Sequence, residues 1–136
     1  MSGLIGRNLS ESTDPVTSRI KSDTRGRRFE FRIISREDLL VRVIRAETCQ
    51  IEIPELGVVI EPGNASEGFI TNVEGVLLRI EKVLGMTKNW AIRDGDKDKI
   101  EQIEELSNRI DAVKNGEFAI TLILEDETGN SAILGE

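Results

Sequence analysis

A chain of 136 residues suits one domain with a single buried core. Its 25 acidic side chains outnumber the 18 basic ones, and the net charge of −7 argues against non-specific nucleic-acid binding, which needs basic surface to displace counterions. With no histidine and one cysteine, Cys49, it holds no Ser-His or Cys-His pair, no histidine metal triad, no intramolecular disulfide and no cysteine-ligated zinc site of its own.

Residues 1–22 are rich in Ser, Thr, Gly and Asp, include Pro15, and show little periodicity, which predicts a flexible N-terminal arm. The run MSGLIGRNLSESTDPVTSR lacks the apolar stretch of a signal peptide, and no apolar run approaches the roughly 20 residues that span a bilayer. A cytoplasmic protein without membrane contact is the expectation. Arg25, Arg27, Arg28, Arg32 and Arg36 cluster early, but Glu30, Glu37 and Asp38 interrupt them; a solvated strand edge is the simpler reading than an anion-binding patch.

From Arg27 the pattern alternates. Phe29, Phe31 and Ile33 share one strand face. After a polar break at residues 35–38, Val41 and Val43 oppose Leu40, Arg42 and Ile44. Cys49, Ile51 and Ile53 alternate with Gln50 and Glu52 in the next strand, which Pro54 ends because it donates no ladder bond. Val58 and Ile60 make a fourth strand leading into the turn Glu61-Pro62-Gly63.

The period then changes. Thr71 and Glu74 have the spacing of a capping box, and Val73, Val76, Leu77, Ile80, Val83 and Leu84 follow at helical intervals until Gly85, read as the helix end. A polar connector over 86–95 precedes a second helix from about Asp96 to Lys114, striped by Ile100, Ile103, Leu106, Ile110 and Val113. The pair makes a helical hairpin over about 71–115. Trp90, in the connector, reads either as a cap on the apolar seam of the hairpin or as an exposed anchor for a partner. Phe69 leans toward core packing. Phe118, Ile120, Leu122 and Leu124 alternate again, and a turn over 126–130 leads to a last strand, 131–134.

Four strands, a helical hairpin and two strands, with no crossover helices between consecutive strands, predict an antiparallel barrel or sandwich. The first and last strands pair around an aliphatic core, and the helices ride outside it. Carboxylate-only chemistry at Glu52, Glu61 or Asp126 is the sole catalytic option, and solvated surface is the simpler account of such acids. Glu125, Asp126, Glu127 and Asn130 are rich in oxygen ligands, but their spacing is that of a turn rather than an EF-hand, with Gly129 supplying a positive φ.

Four runs in order, IPEL at Ile53–Leu56, EPG at Glu61–Gly63, GFITNVEG at Gly68–Gly75 and TLILEDETGNS at Thr121–Ser131, resemble the A domain of the ZPR-type zinc-finger family of eukaryotes and archaea. The resemblance spans about Asp23 to Ile133, so residues 23–136 are expected to form that domain. It implies a fold that is mainly β with an α insertion: an antiparallel double-stranded β-helix, a jelly-roll-like barrel, carrying a helical hairpin. In the family a four-cysteine zinc finger precedes this domain; its cysteines are missing here, and zinc or any other cofactor is not expected. The acidic turn, Glu125-Asp126-Glu127-Thr128, also lacks the proline usual in the family.

The resemblance further implies a non-enzymatic protein-binding module that binds, or assists the folding of, the translation elongation GTPase factor one-alpha in its GDP form. Candidate partner-binding residues, taken from the matching motifs, are Glu61, Pro62, Gly63, Glu67, Gly68, Phe69, Asp126, Gly129, Asn130 and Ser131. The alternatives are a barrel whose interior holds a small ligand or substrate, and a structural oligomerisation module.

Overall fold

The computed structural model describes residues 19–63 and 68–135. Most of the expected arm, residues 1–18, and the candidate Glu67 lie outside the described residues. The elements are β1 (Ile20–Ser22), β2 (Arg28–Ile33), a 3-10 turn (Arg36–Leu40), β3 (Arg42–Arg45), β4 (Gln50–Ile53), a second 3-10 turn (Pro54–Leu56), β5 (Val58–Ile60), β6 (Phe69–Asn72), α1 (Val73–Asp94), α2 (Lys97–Lys114), β7 (Ile120–Glu125) and β8 (Ala132–Leu134).

The strands form a five-stranded sheet in the order β1-β2-β7-β4-β5 and a three-stranded sheet in the order β6-β3-β8. Every pairing is antiparallel. The two ends of the chain meet as expected: β2 runs against β7 from Arg28↔Glu125 to Ile33↔Ile120, and β3 takes β8 from Arg42↔Leu134 to Ile44↔Ala132. The fold is thus a mainly β, jelly-roll-like antiparallel structure with a helical hairpin inserted between β6 and β7. Phe31, Ile33, Val43, Ile51, Ile53, Ile120, Leu122, Leu124 and Ile133 fill its interior, none more than 2% exposed. That packing occupies the space a small ligand would need inside the barrel.

The helices correct several expectations. They do not ride outside the core, because Val73, Val76, Leu77 and Ile80 of α1 and Ile110 and Val113 of α2 belong to the same buried cluster as the strands. The cap of α1 is Asn72, whose Oδ1 accepts the Gly75 amide at 2.8 Å, and not Thr71, which stays in β6 opposite Val43. Nor does Gly85 end the helix. A mid-helix glycine costs about 1 kcal/mol relative to alanine, too little to stop a helix zipped to α2 by Lys88–Glu104 at 3.1 Å and Glu81–Lys114 at 2.6 Å. The connector is therefore helical, and the reversal occurs at Gly95, whose φ of 71° suits glycine. Asp96 then caps α2 by accepting the Lys99 amide at 3.1 Å.

Two short strands escape periodicity. Of the expected arm, Ile20–Ser22 forms β1 against Phe29–Phe31, fastened beside it by Arg19, which grips both oxygens of buried Asp38 at 2.6 and 3.2 Å. Residues 69–72 form β6, so six strands rather than four precede the hairpin. Phe118 lies outside β7 and is 37% exposed. No described helix is long and apolar enough to cross a membrane.

Candidate functional site

Three of the four motif runs converge on a turn that none of them contains, the link between β3 and β4 at residues 45–49. The turn closes on itself through the Cys49 amide and the Ala46 carbonyl, 3.0 Å apart. Arg45 sits at its start. In β3 the odd positions face inward, so Arg45 follows Val41 and Val43 into the interior and is 3% exposed. A buried guanidinium needs acceptors for its fixed fork of N–H groups. Its Nε and Nη2 donate to the Cys49 carbonyl at 3.2 and 2.8 Å, and Nη2 also reaches the Glu61 carbonyl at 3.3 Å. Arg45 thereby binds its own turn to the start of the EPG loop. The Gly63 amide completes that junction by donating to the Glu47 carbonyl at 3.2 Å.

The Glu125–Ser131 turn docks on the other side. Asp126 is 2% exposed. Its Oδ1 accepts from the Thr48 and Thr128 hydroxyls, both at 2.7 Å, and from the Thr128 amide at 3.0 Å; its Oδ2 accepts from the Ser131 hydroxyl at 2.7 Å. Ser131 Oγ in turn accepts the Ala46 amide at 2.8 Å. Burial pushes the Asp126 carboxyl up, but the donors Ser131, Thr48 and Thr128 together outweigh it and hold the pKa at about 2. The Asp126–Thr128 bond makes an Asx turn, closed by the Gly129 amide on the Asp126 carbonyl at 3.0 Å, with Gly129 at φ 73°. The oxygen-rich run therefore works as a turn.

The third run enters through β6. Phe69 pairs with Arg45 across the sheet, and the Arg45 guanidinium lies 5.8 Å from its ring centre. A Cβ built on Gly68 would stand 2.8 Å from the Arg45 carbonyl oxygen, a backbone atom that cannot swing aside. Gly68→Ala is expected to cost about 1–3 kcal/mol, read as a lower urea midpoint. An unchanged midpoint would show that β6 has slack against β3. The fourth run, IPEL, belongs elsewhere: Glu55 accepts the Thr121 amide and hydroxyl, each at 2.8 Å, and Arg32 at 2.7 Å, pinning the 3-10 turn to β7.

The candidates thus divide by burial. Glu61, Pro62, Gly63, Gly129 and Asn130 are exposed loop positions at one end of the barrel. Asp126 and Ser131 are buried braces, and the oxygens of Asp126 are taken up by hydrogen bonds inside the chain. Gly68 is exposed and Phe69 half-buried against the core, as its sequence context suggested. Trp90 does not cap the hairpin seam; it is 61% exposed. Sequence reasoning missed Arg45, Ala46 and Thr48. The signal for Arg45 was present, a charged residue continuing the inward face of Val41 and Val43. For Ala46 and Thr48 there was none, since one contributes an amide and the other a hydroxyl.

Residues 37–135 match the model of the family described as ZPR1 jelly-roll domain. Over 110 residues, 81% of this chain, the chain is 41% identical to an uncharacterized ZPR1-like protein of Pyrococcus horikoshii, covering 49% of that protein. It is 44% identical over 110 residues to an uncharacterized ZPR1-like protein of Methanocaldococcus jannaschii, again 81% of this chain and 54% of the relative. A protein of Schizosaccharomyces pombe named zinc finger chaperone zpr1 is 26% identical over 108 residues, 79% of this chain and 23% of that one. The chain spans about half the length of the archaeal relatives.

Proposed function

We propose, since the chain belongs to the ZPR1 jelly-roll family, that it is a non-enzymatic protein-binding module of chaperone type. Its partner in this reading is the translation elongation GTPase factor one-alpha in its GDP form. The observation that carries the reading is the convergence of the EPG, Gly68-Phe69 and Asp126–Ser131 runs on the 45–49 turn. In this reading the hub presents Glu61, Pro62, Gly63 and Asn130 as one contact surface. Buried bonds to Arg45, Thr48 and Ser131 keep the loops in place before a partner arrives, which lowers the ordering cost of association. The name of the fission-yeast relative, a zinc finger chaperone, supports the chaperone-type role. The packed aliphatic interior speaks against a ligand-holding or enzymatic barrel.

Isothermal titration of the purified chain into the GDP-bound GTPase tests the proposal. Binding in the micromolar range is expected, weakened about tenfold by Asn130→Arg on the exposed loop, which corresponds to about 1.4 kcal/mol. No heat at high micromolar concentration would sink the reading.

A further inference from the structure

A second surface lies beside the loop cluster and has a different chemistry. Strand β5 ends the larger sheet: it pairs with β4 and with no other described strand. Exposed edges of this kind are templates for another strand, and proteins usually blunt them with charge or proline. Here the edge reads Val58-Val59-Ile60 and carries neither. It forms one wall of an open groove of about 690 Å³, whose other wall is Phe69 and the start of α1, with Arg79, Ile80, Val83 and Leu84. That volume falls within the range of pockets that enclose a ligand.

The apolar lining continues past the groove. Val83, Met86 and Trp90 recur three and four residues apart on one face of α1 and are 58%, 54% and 61% exposed. From Arg79 to Trp90 this stripe covers roughly 16 Å of helix, the reach of about five residues of extended chain.

Two arginines line the groove: Arg45, which donates to the Cys49 and Glu61 carbonyls, and Arg79. Arg79 stacks over the Phe69 ring, 4.2 Å from its centre, and donates to the Gly75 carbonyl at 3.2 Å. Arg79 is one of several described cations that pair with no carboxylate among the described residues, and among the lining residues of the groove it is the one whose guanidinium is not taken up by the 45–49 turn. In a chain of net charge −7, an arginine held flat on a ring beside an apolar floor is complementary to an incoming carboxylate.

We infer that this groove takes an extended segment of a partner protein, which adds as a strand to the open edge of β5. Backbone bonds to β5 give register, alternate aliphatic side chains enter against Phe69, Ile80 and Val83, and an aspartate or glutamate of the segment meets Arg79. This surface shares Arg45, Gly68 and Phe69 with the loop hub but none of the exposed positions Glu61, Pro62, Gly63 and Asn130, so its occupation does not depend on which protein those loops bind.

Random twelve-residue peptides displayed on phage and selected on the immobilised full chain provide the test. Enriched peptides are expected to alternate Val, Ile, Leu or Phe with polar residues and to carry an acid at a constant place. Synthesised and titrated by fluorescence anisotropy, they should lose about tenfold in affinity with Arg79→Gln, and all measurable binding with Val83→Lys, an exposed change that leaves the core intact. Methylation of alternate peptide amides should abolish binding, while Asn130→Arg should leave it unaltered. No enrichment, peptides without an acid, or indifference to amide methylation or to Arg79→Gln would overturn the inference. Sedimentation showing a dimer that Val83→Lys dissolves would overturn it too, assigning the groove to a second copy.

Discussion

Replacing Asp126 with alanine is expected to remove about 4 kcal/mol of stability, since hydrogen bonds to a buried charge contribute roughly 1.5–3 kcal/mol each and are only partly additive. The loss would show in urea unfolding as a midpoint shift with little change in slope. The carboxylate joins Thr48 in one turn to Thr128 and Ser131 in another, and Ser131 passes the connection on to the Ala46 amide. Without it, three hydroxyls and an amide lose their acceptor; Thr48 and Thr128 are exposed and can turn to water, whereas the Ser131 hydroxyl is buried and cannot. Asp126→Asn is milder, about 2 kcal/mol: one oxygen still serves Thr48 and Thr128, but the amide nitrogen faces the Ser131 hydroxyl and leaves its proton without an acceptor.

The same carboxylate predicts an acid dependence whose sign follows from its pKa. Burial raises it and the Ser131, Thr48 and Thr128 donors lower it further, so the folded value of about 2 lies below the ordinary 3.8. The unfolded chain then takes up the proton first. The contribution is complete above pH 3.8 and disappears as pH falls through about 2, amounting to about 2 kcal/mol. The difference in stability between the native chain and Asp126→Asn isolates this group from the other acids, Asp38 and Glu55 among them. That difference should shrink between pH 4 and pH 2. A gap that stayed constant across this range would mean that Asp126 is not ionised in the folded protein.

What the residues disclosed beforehand follows from how each element earns its place. Phe31 with Ile33, Ile51 with Ile53, and Ile120 with Leu122 and Leu124 alternate because one face of each strand is buried, and those strands were legible. Strand β6, Phe69-Ile70-Thr71-Asn72, leaves Ile70 74% exposed and buries no residue fully, so its place in the sheet comes from pairing with β3 and not from a pattern. Strand β1 has a single aliphatic residue, Ile20, and depends on Arg19 reaching Asp38 nineteen positions away. Gly85 misled for a related reason: local propensity asks for a break, but ion pairs to α2 on either side of it, from Glu81 and Lys88, hold the helix continuous. The loop cluster was half visible. Its motifs stood out as resemblances, yet the hub joining them works through backbone carbonyls, amides and hydroxyls 78 and 85 positions apart, for which no local spacing exists.

Truncating the root of the hairpin should destabilise the strands as much as the helices. Leu77 and Ile110 are both 0% exposed and lie in one cluster with Phe31, Ile51 and Leu124. Leu77→Ala and Ile110→Ala each remove a buried aliphatic side chain and leave a cavity, at a cost of about 2–5 kcal/mol. If the helices were an insertion stacked on a self-sufficient barrel, amides in β7 would keep their hydrogen-exchange protection in these variants. Because α1 and α2 complete the core, β7 amides that open with global unfolding should exchange at least about thirtyfold faster, matching the lost stability. Trp90→Ala, at the exposed end of the same hairpin, should leave β7 protection unaltered and stability within about 0.5 kcal/mol. The contrast divides the hairpin into a structural root and an outward stripe. It also ties the two surfaces together: α1 starts from Asn72 at the end of β6, and β6 is held by Arg45, the residue that also fixes the EPG loop. The groove beside β5 and the loop cluster thus both adjoin Arg45, against which β6 pairs, so a change that loosens β6 from β3, such as Gly68→Ala, should weaken binding at both.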